Sequence, residues 1–112
     1  MSNLKWPFAA ADVQASVADA ATVEVTVTNQ MTIVPVDTMA QDTTVDLSVD
    51  SGVEAGAMLL IKAGSDGTAR ALVQGTGFSY TTSQAGTISK IKHFLYVFNG
   101  STFDHVATVT AN

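Results

Sequence analysis

Residues 22–36 read TVEVTVTNQMTIVPV, and the alternation in the first seven of them decides the class of the fold. Val23, Val25 and Val27 fall on one side and Glu24, Thr26 and Thr28 on the other. That is the period-two pattern of a strand with one face in a core and one in solvent. Asn29-Gln30 then offers a tight turn into MTIVPV. Pro35 lacks an N–H for a ladder, so this second strand is expected at an edge or to end near the proline.

Working outward, the same pattern returns in TTVDLSV, residues 43–49, with Val45, Leu47 and Val49 on the inner face. Asp50-Ser51-Gly52 and Gly56 punctuate the connection that follows. MLLIKA, residues 58–63, is a continuous apolar run, which predicts a strand covered on both sides and leaves its register open. GSDG at 64–67 is a strong turn signal, from which TARALVQ is expected to return as the partner strand. Residues 75–86 form the longest irregular stretch and hold Phe78 and Tyr80. ISKIKHFLYVF then leads into Asn99-Gly100, which fits a two-residue type I′ hairpin turn with positive φ at both central positions. Phe94, Tyr96 and Phe98 share one face, and Phe103 can meet an aromatic partner across the ladder.

Seven or eight strands joined by polar turns predict an all-β fold, a sandwich or a small barrel, of which a small antiparallel β-sandwich of jelly-roll type is preferred. Its core is expected to include Val23, Val25, Val27, Val45, Leu47, Val49, Leu60, Leu72, Phe94, Tyr96 and Phe103. Residues 21–112 form this single domain. Residues 1–20 read as an N-terminal arm with at most a short helix, because no second helical stripe follows for it to pack beside.

At 112 residues the chain has the length of one domain, able to bury roughly 65% of its unfolded surface. Cysteine is absent, which excludes disulfides, thiolate metal sites and a cysteine nucleophile. Charged residues make up 13% of the chain, about half the usual share. Repulsion between copies is therefore weak, and self-association or burial in an assembly is expected. The net charge of −5 is uneven: residues 1–54 hold eight acids and one base, Lys5. A nucleic-acid partner is not expected, since phosphate neutralisation needs clustered Lys and Arg. Neither a membrane span nor a secretory signal is visible.

Groups able to carry chemistry are sparse. Asp42, Asp46 and Asp50 stand four apart on one strand face, each about 13 Å from the next, too far to share an ion. They read as a solvated face, with calcium through neighbouring loops as the sharper alternative. His93 and His105 are the only histidines, and Asp104 beside His105 points to the opposite face of a strand. No catalytic residue, metal site or cofactor is expected from these groups. Gly75-Thr76-Gly77 is too short for a phosphate loop. Asn99-Gly100-Ser101 matches a glycosylation sequon by accident of the turn. Lys90 and Lys92 read as a solvated edge. Trp6 and Phe8 are candidate anchors, either docking on their own core or inserting into a neighbouring subunit.

Two stretches are informative together. Phe98-Asn99-Gly100-Ser101-Thr102-Phe103 resembles the aromatic–Asp/Asn–Gly–Thr–x–aromatic hairpin of small β-domains in tailed-phage virion proteins. SDGTARALVQGTGF resembles the strand–turn–strand ending in Gly-x-Gly-Phe that usually precedes it. The resemblance covers about residues 56–107. It implies a non-enzymatic structural protein of the head-fibre or capsid-decoration type, located in the virion and assembled in the host cytoplasm. The partners it implies are the major capsid protein or other virion proteins and further copies of the chain, three at a threefold position. The alternative expectation is a carbohydrate- or receptor-binding module of a fibre or tail, with Phe78 and Tyr80 contacting a glycan.

Overall fold

The computed structural model describes residues 12–13 and 22–111, and every regular element among them is a β-strand. The strands are β1 (Asp12–Val13), β2 (Thr22–Val27), β3 (Met31–Met39), β4 (Thr43–Val49), β5 (Met58–Ser65), β6 (Leu72–Gln74), β7 (Ser83–Gln84), β8 (Ile91–Phe98) and β9 (Phe103–Thr110). They form a five-stranded sheet in the order β1-β3-β5-β8-β9 and a four-stranded sheet in the order β2-β4-β6-β7. Two sheets sharing one apolar core make the all-β sandwich that the alternation predicts. Trp6 and Phe8 lie outside the described residues, as does the arm apart from Asp12–Val13, which pair with Thr32 and Ile33 of β3.

Strand direction differs from the antiparallel jelly-roll expectation. β2 pairs with β4, β4 with β6, β1 with β3, and β3 with β5, all in parallel. Only β5–β8, β8–β9 and β6–β7 are antiparallel. Asn29-Gln30 therefore does not close a hairpin, and β6 does not return beside β5. Each of these turns carries the chain across the core into the facing sheet. Parallel neighbours need a long crossover, and β3 serves as that crossover between β2 and β4. Alternation looks the same in either arrangement, because an inward valine meets the core whichever way its neighbour runs.

The coil stacks like residues on like. Val23, Val25 and Val27 of β2 lie beside Val45, Leu47 and Val49 of β4, and Val34 and Val36 of β3 lie beside Ile61 and Ala63 of β5. Successive coils are also tied at their ends. The Gln30 side chain accepts from Glu54 N–H at 2.8 Å and donates to its carbonyl at 3.3 Å. β3 lies between β1 and β5, but β1 pairs only with Thr32 and Ile33, so among the described residues Pro35 has a ladder neighbour on the β5 side alone.

All but two of the expected core residues are buried. Val49 is half-buried against the core. Leu60 is half-buried on the opposite face of β5, while Leu59 and Ile61 are buried. The apolar run had concealed that register.

The hairpin between β8 and β9 is present, but its turn is not type I′. Phe98 pairs with Phe103, their rings 4.9 Å apart. Asn99 N–H donates to the Thr102 carbonyl at 2.9 Å, placing Gly100 and Ser101 at the tip. Only Gly100 of the tip has positive φ, at 104°. The Asn99 side chain supplies the remaining order, its Oδ1 accepting from Ser101 N–H and Thr102 N–H at 2.9 Å each.

Candidate interaction surface

The inner face of the five-stranded sheet is core, so alternation forces the intervening residues of β3, β5, β8 and β9 onto an outer face. Cross-strand register orders them into rows. One row runs Ile33, Leu60, Leu95, Ala107, and each of these side chains is half-buried. On one side lies Met31, Met58, Val97; on the other, Pro35, Lys62, His93, Val109. No described strand packs over this face. Lys62 and His93 are its only polar side chains in these rows up to β8, and Asp104, opposite Val97, ends the Met31 row on β9. A solvated sheet face ordinarily carries polar residues. Contiguous apolar residues on such a face mark a place where another surface docks.

The signal for this face was present in the sequence. MLLIKA reads as covered on both sides, but no described strand covers its outward member, Leu60. The wider face was missed because its residues are the odd positions of β3 and β8, which attract notice only once a register ties them together.

The polar groups build the scaffold. Asp42 Oδ1 accepts from Ala71 N–H at 2.9 Å, and Asp46 Oδ1 accepts from Thr76 N–H at 2.8 Å. These carboxylates thus secure the β4–β6 side of the small sheet. Among the described residues no group of three metal-ligating side chains occurs. His93 sits on the outer face of β8. His105 packs on Tyr96, ring centroids 5.3 Å apart, with a ring nitrogen 2.7 Å from Thr108 Oγ1. Asp104 turns to Ser79 and Asn99 instead. The structure does not bring the two histidines and Asp104 together as a catalytic set.

Asn99 Nδ2 donates to Asp104 Oδ1 at 3.1 Å and Thr102 Oγ1 at 3.3 Å. Ser79 bonds Thr102 and Asp104, fastening the 75–80 loop to the hairpin. Lys92 donates to the Ala85 carbonyl at 2.9 Å, while Lys90 is exposed. Arg70 grips Asp66 through two hydrogen bonds, which hold that carboxyl below its usual range, aided by Thr68 N–H.

The two aromatics of the glycan expectation part company. Phe78 is buried, its ring 4.9 Å from that of Tyr96, so it offers no platform. Tyr80 is 73% exposed. Comparison with protein-family models, curated proteins and solved structures finds no match to this chain.

Proposed function

We propose that this chain is a non-enzymatic virion structural protein, a capsid decoration or head-fibre protein that binds and stabilises a phage shell. The observation that carries the reading is the apolar outer face of the five-stranded sheet, centred on Leu60. A face of this kind suits docking on a large protein lattice, where many weak contacts repeat with the symmetry. The resemblance of residues 56–107 to tailed-phage virion domains supplies the partner class, the major capsid protein or another virion protein. It also supplies the threefold grouping of copies on the shell, and the virion, assembled in the host cytoplasm, as location. Trp6 and Phe8 act as additional anchors.

The test is co-purification with virus particles, followed by rebinding of the full chain to particles stripped of it. Leu60→Lys is expected to keep the fold and lose most of the rebinding, and Trp6→Ala with Phe8→Ala to weaken it. Absence of the chain from purified particles would remove the reading.

A second reading, a glycan- or receptor-binding module of a fibre or tail, rests on Tyr80. One exposed ring can stack on a sugar face. Tyr80→Ala abolishing retention on a host-surface glycan array, with particle rebinding unchanged, would favour it.

A further inference from the structure

Among the described residues the sandwich has four sheet edges, and they are not equally protected. β1 and β7 are two residues long, and β2 carries Glu24 at its middle. Short or charged edges resist pairing with other chains. β9 is eight residues long and has no Asp, Glu, Lys, Arg or Pro from His105 to Thr110. Its first residue is already occupied, because Phe103 bonds Gly77 and Ser79 through its backbone. Among the described residues no strand pairs with the rest of its outer side.

The register fixes which backbone groups face outward. Phe98 bonds Ala57 through its N–H, so the alternate residues Tyr96, Phe94 and Lys92 also direct their backbone groups toward β5. Thr108 lies opposite Phe94 and Thr110 opposite Lys92. In an antiparallel ladder those two therefore present N–H and C=O away from the sheet. Between them stands Val109, 62% exposed and on the apolar outer face.

We propose that two copies of this chain pair through β9, antiparallel about a twofold axis at Val109, joining their five-stranded sheets into one continuous sheet. In that register Thr108 faces Thr110 of the second copy, and each pair exchanges two backbone hydrogen bonds. Val109 meets Val109, and Ala107 meets Ala111. The match is self-complementary, as a twofold contact requires. β-branched and hydroxyl pairs of this kind stabilise cross-strand contacts. A second copy fits better than a foreign strand because both threonines and both apolar positions find equivalents of themselves. In free solution the contact makes a dimer, and on a shell it links copies at neighbouring threefold sites.

The experiment is sedimentation velocity on the full chain between about 1 and about 500 μM, the range in which a contact of modest area is populated. A monomer–dimer equilibrium is expected. Val109→Lys sets two ammonium groups face to face and is expected to weaken pairing about tenfold or more. Thr108→Pro removes an outward N–H, which an edge strand tolerates, and is expected to do the same. Unchanged circular dichroism establishes the fold of each variant, and Val109→Lys, which leaves the backbone intact, suffices if the proline variant does not fold. A monomer throughout, a trimer, or a dimer indifferent to Val109→Lys would each overturn the proposal. Particle rebinding by Thr108→Pro, whose side chain lies off the outer face opposite Phe94, separates this contact from shell attachment, since the dimer can fail while Leu60-dependent binding persists.

Discussion

The hydroxyl of Tyr96 donates to Gln74 Oε1 at 3.2 Å, and the two residues belong to opposite sheets of the sandwich. Both are buried. Gln74 completes its bonding by accepting from Gln84 Nε2 at 2.9 Å and donating to the Tyr80 carbonyl at 2.9 Å. One amide thus joins the two layers and the irregular loop. Gln74→Leu is expected to cost about 2–3 kcal/mol, since it strands the buried hydroxyl, whereas Tyr96→Phe removes one bond and costs about 1 kcal/mol. Urea unfolding of both variants checks the order.

Burial also pushes the Tyr96 phenol up from the ordinary tyrosine value. The unfolded chain releases that proton near pH 10, where the folded chain still holds it. Stability from this group is whole below about pH 10 and falls by about 1.4 kcal/mol per pH unit above it. Denaturation curves collected across that pH should show the decline, with a shallower one in Tyr96→Phe.

Thr32 offers a stabilising change. Its hydroxyl is buried and has no hydrogen-bond partner, although the side chain lies inward beside Leu59 in the register. Replacing an unsatisfied hydroxyl by a methyl of similar shape removes a desolvation cost. Thr32→Val should raise stability by about 1 kcal/mol, read as a higher thermal midpoint. A loss would mean the hydroxyl is satisfied in solution.

Gly77 and Gly100 separate space from backbone. Both have positive φ, 93° and 104°. A Cβ at Gly77 would stand 2.6 Å from Leu47 Cβ, but at Gly100 the nearest atom is 3.9 Å away, on Ala55. Gly100→Ala should therefore cost only the left-handed backbone penalty of about 1–2 kcal/mol. Gly77→Ala adds a core clash and should cost at least about 1 kcal/mol more. Equal effects in thermal unfolding would refute the contrast.

Asn99→Asp probes the hairpin cluster. The Oδ1 role toward Ser101 and Thr102 survives the change, but the Nδ2 donor to Asp104 becomes a second carboxylate. Like charges at this distance disfavour joint ionisation. A loss of about 1–2 kcal/mol at neutral pH is expected, shrinking as acid protonates one of the pair. Chemical denaturation at neutral and mildly acidic pH measures both.

Burial was legible in the sequence and strand direction was not. The valines at 23, 25, 27 and 45 declare their face by alternation alone, and they are buried. Nothing in that pattern says whether Asn29-Gln30 folds the chain back beside β2 or across the core. A short turn does either, and the choice depends on β4 and β5 arriving later to fill each sheet. Leu59 and Leu60 were ambiguous for a related reason, since a run apolar on both faces has no period. The apolar outer face was readable only in part. Leu60 lay in a conspicuous run, but Ile33 and Leu95 join it only through the β3–β5–β8 register. Phe78 was misplaced because a loop offers no alternation from which to read its direction.

The coiled path has a kinetic consequence. β2 cannot complete its ladder when it is first made, because its neighbour β4 lies beyond an excursion through the opposite sheet. β3 waits in the same way for β5. Of the long strands, only β8 and β9 are adjacent in both sequence and space. Pairing of distant segments delays folding, since loop entropy is lost before contacts compensate for it. The terminal hairpin is thus the natural nucleus, and β5 is the first strand to add to it. As the chain leaves the ribosome, β2 stays without a partner until β4 has been synthesised, and β3 until β5. On each sheet, pairing of these strands therefore lags synthesis by one whole strand of the facing sheet.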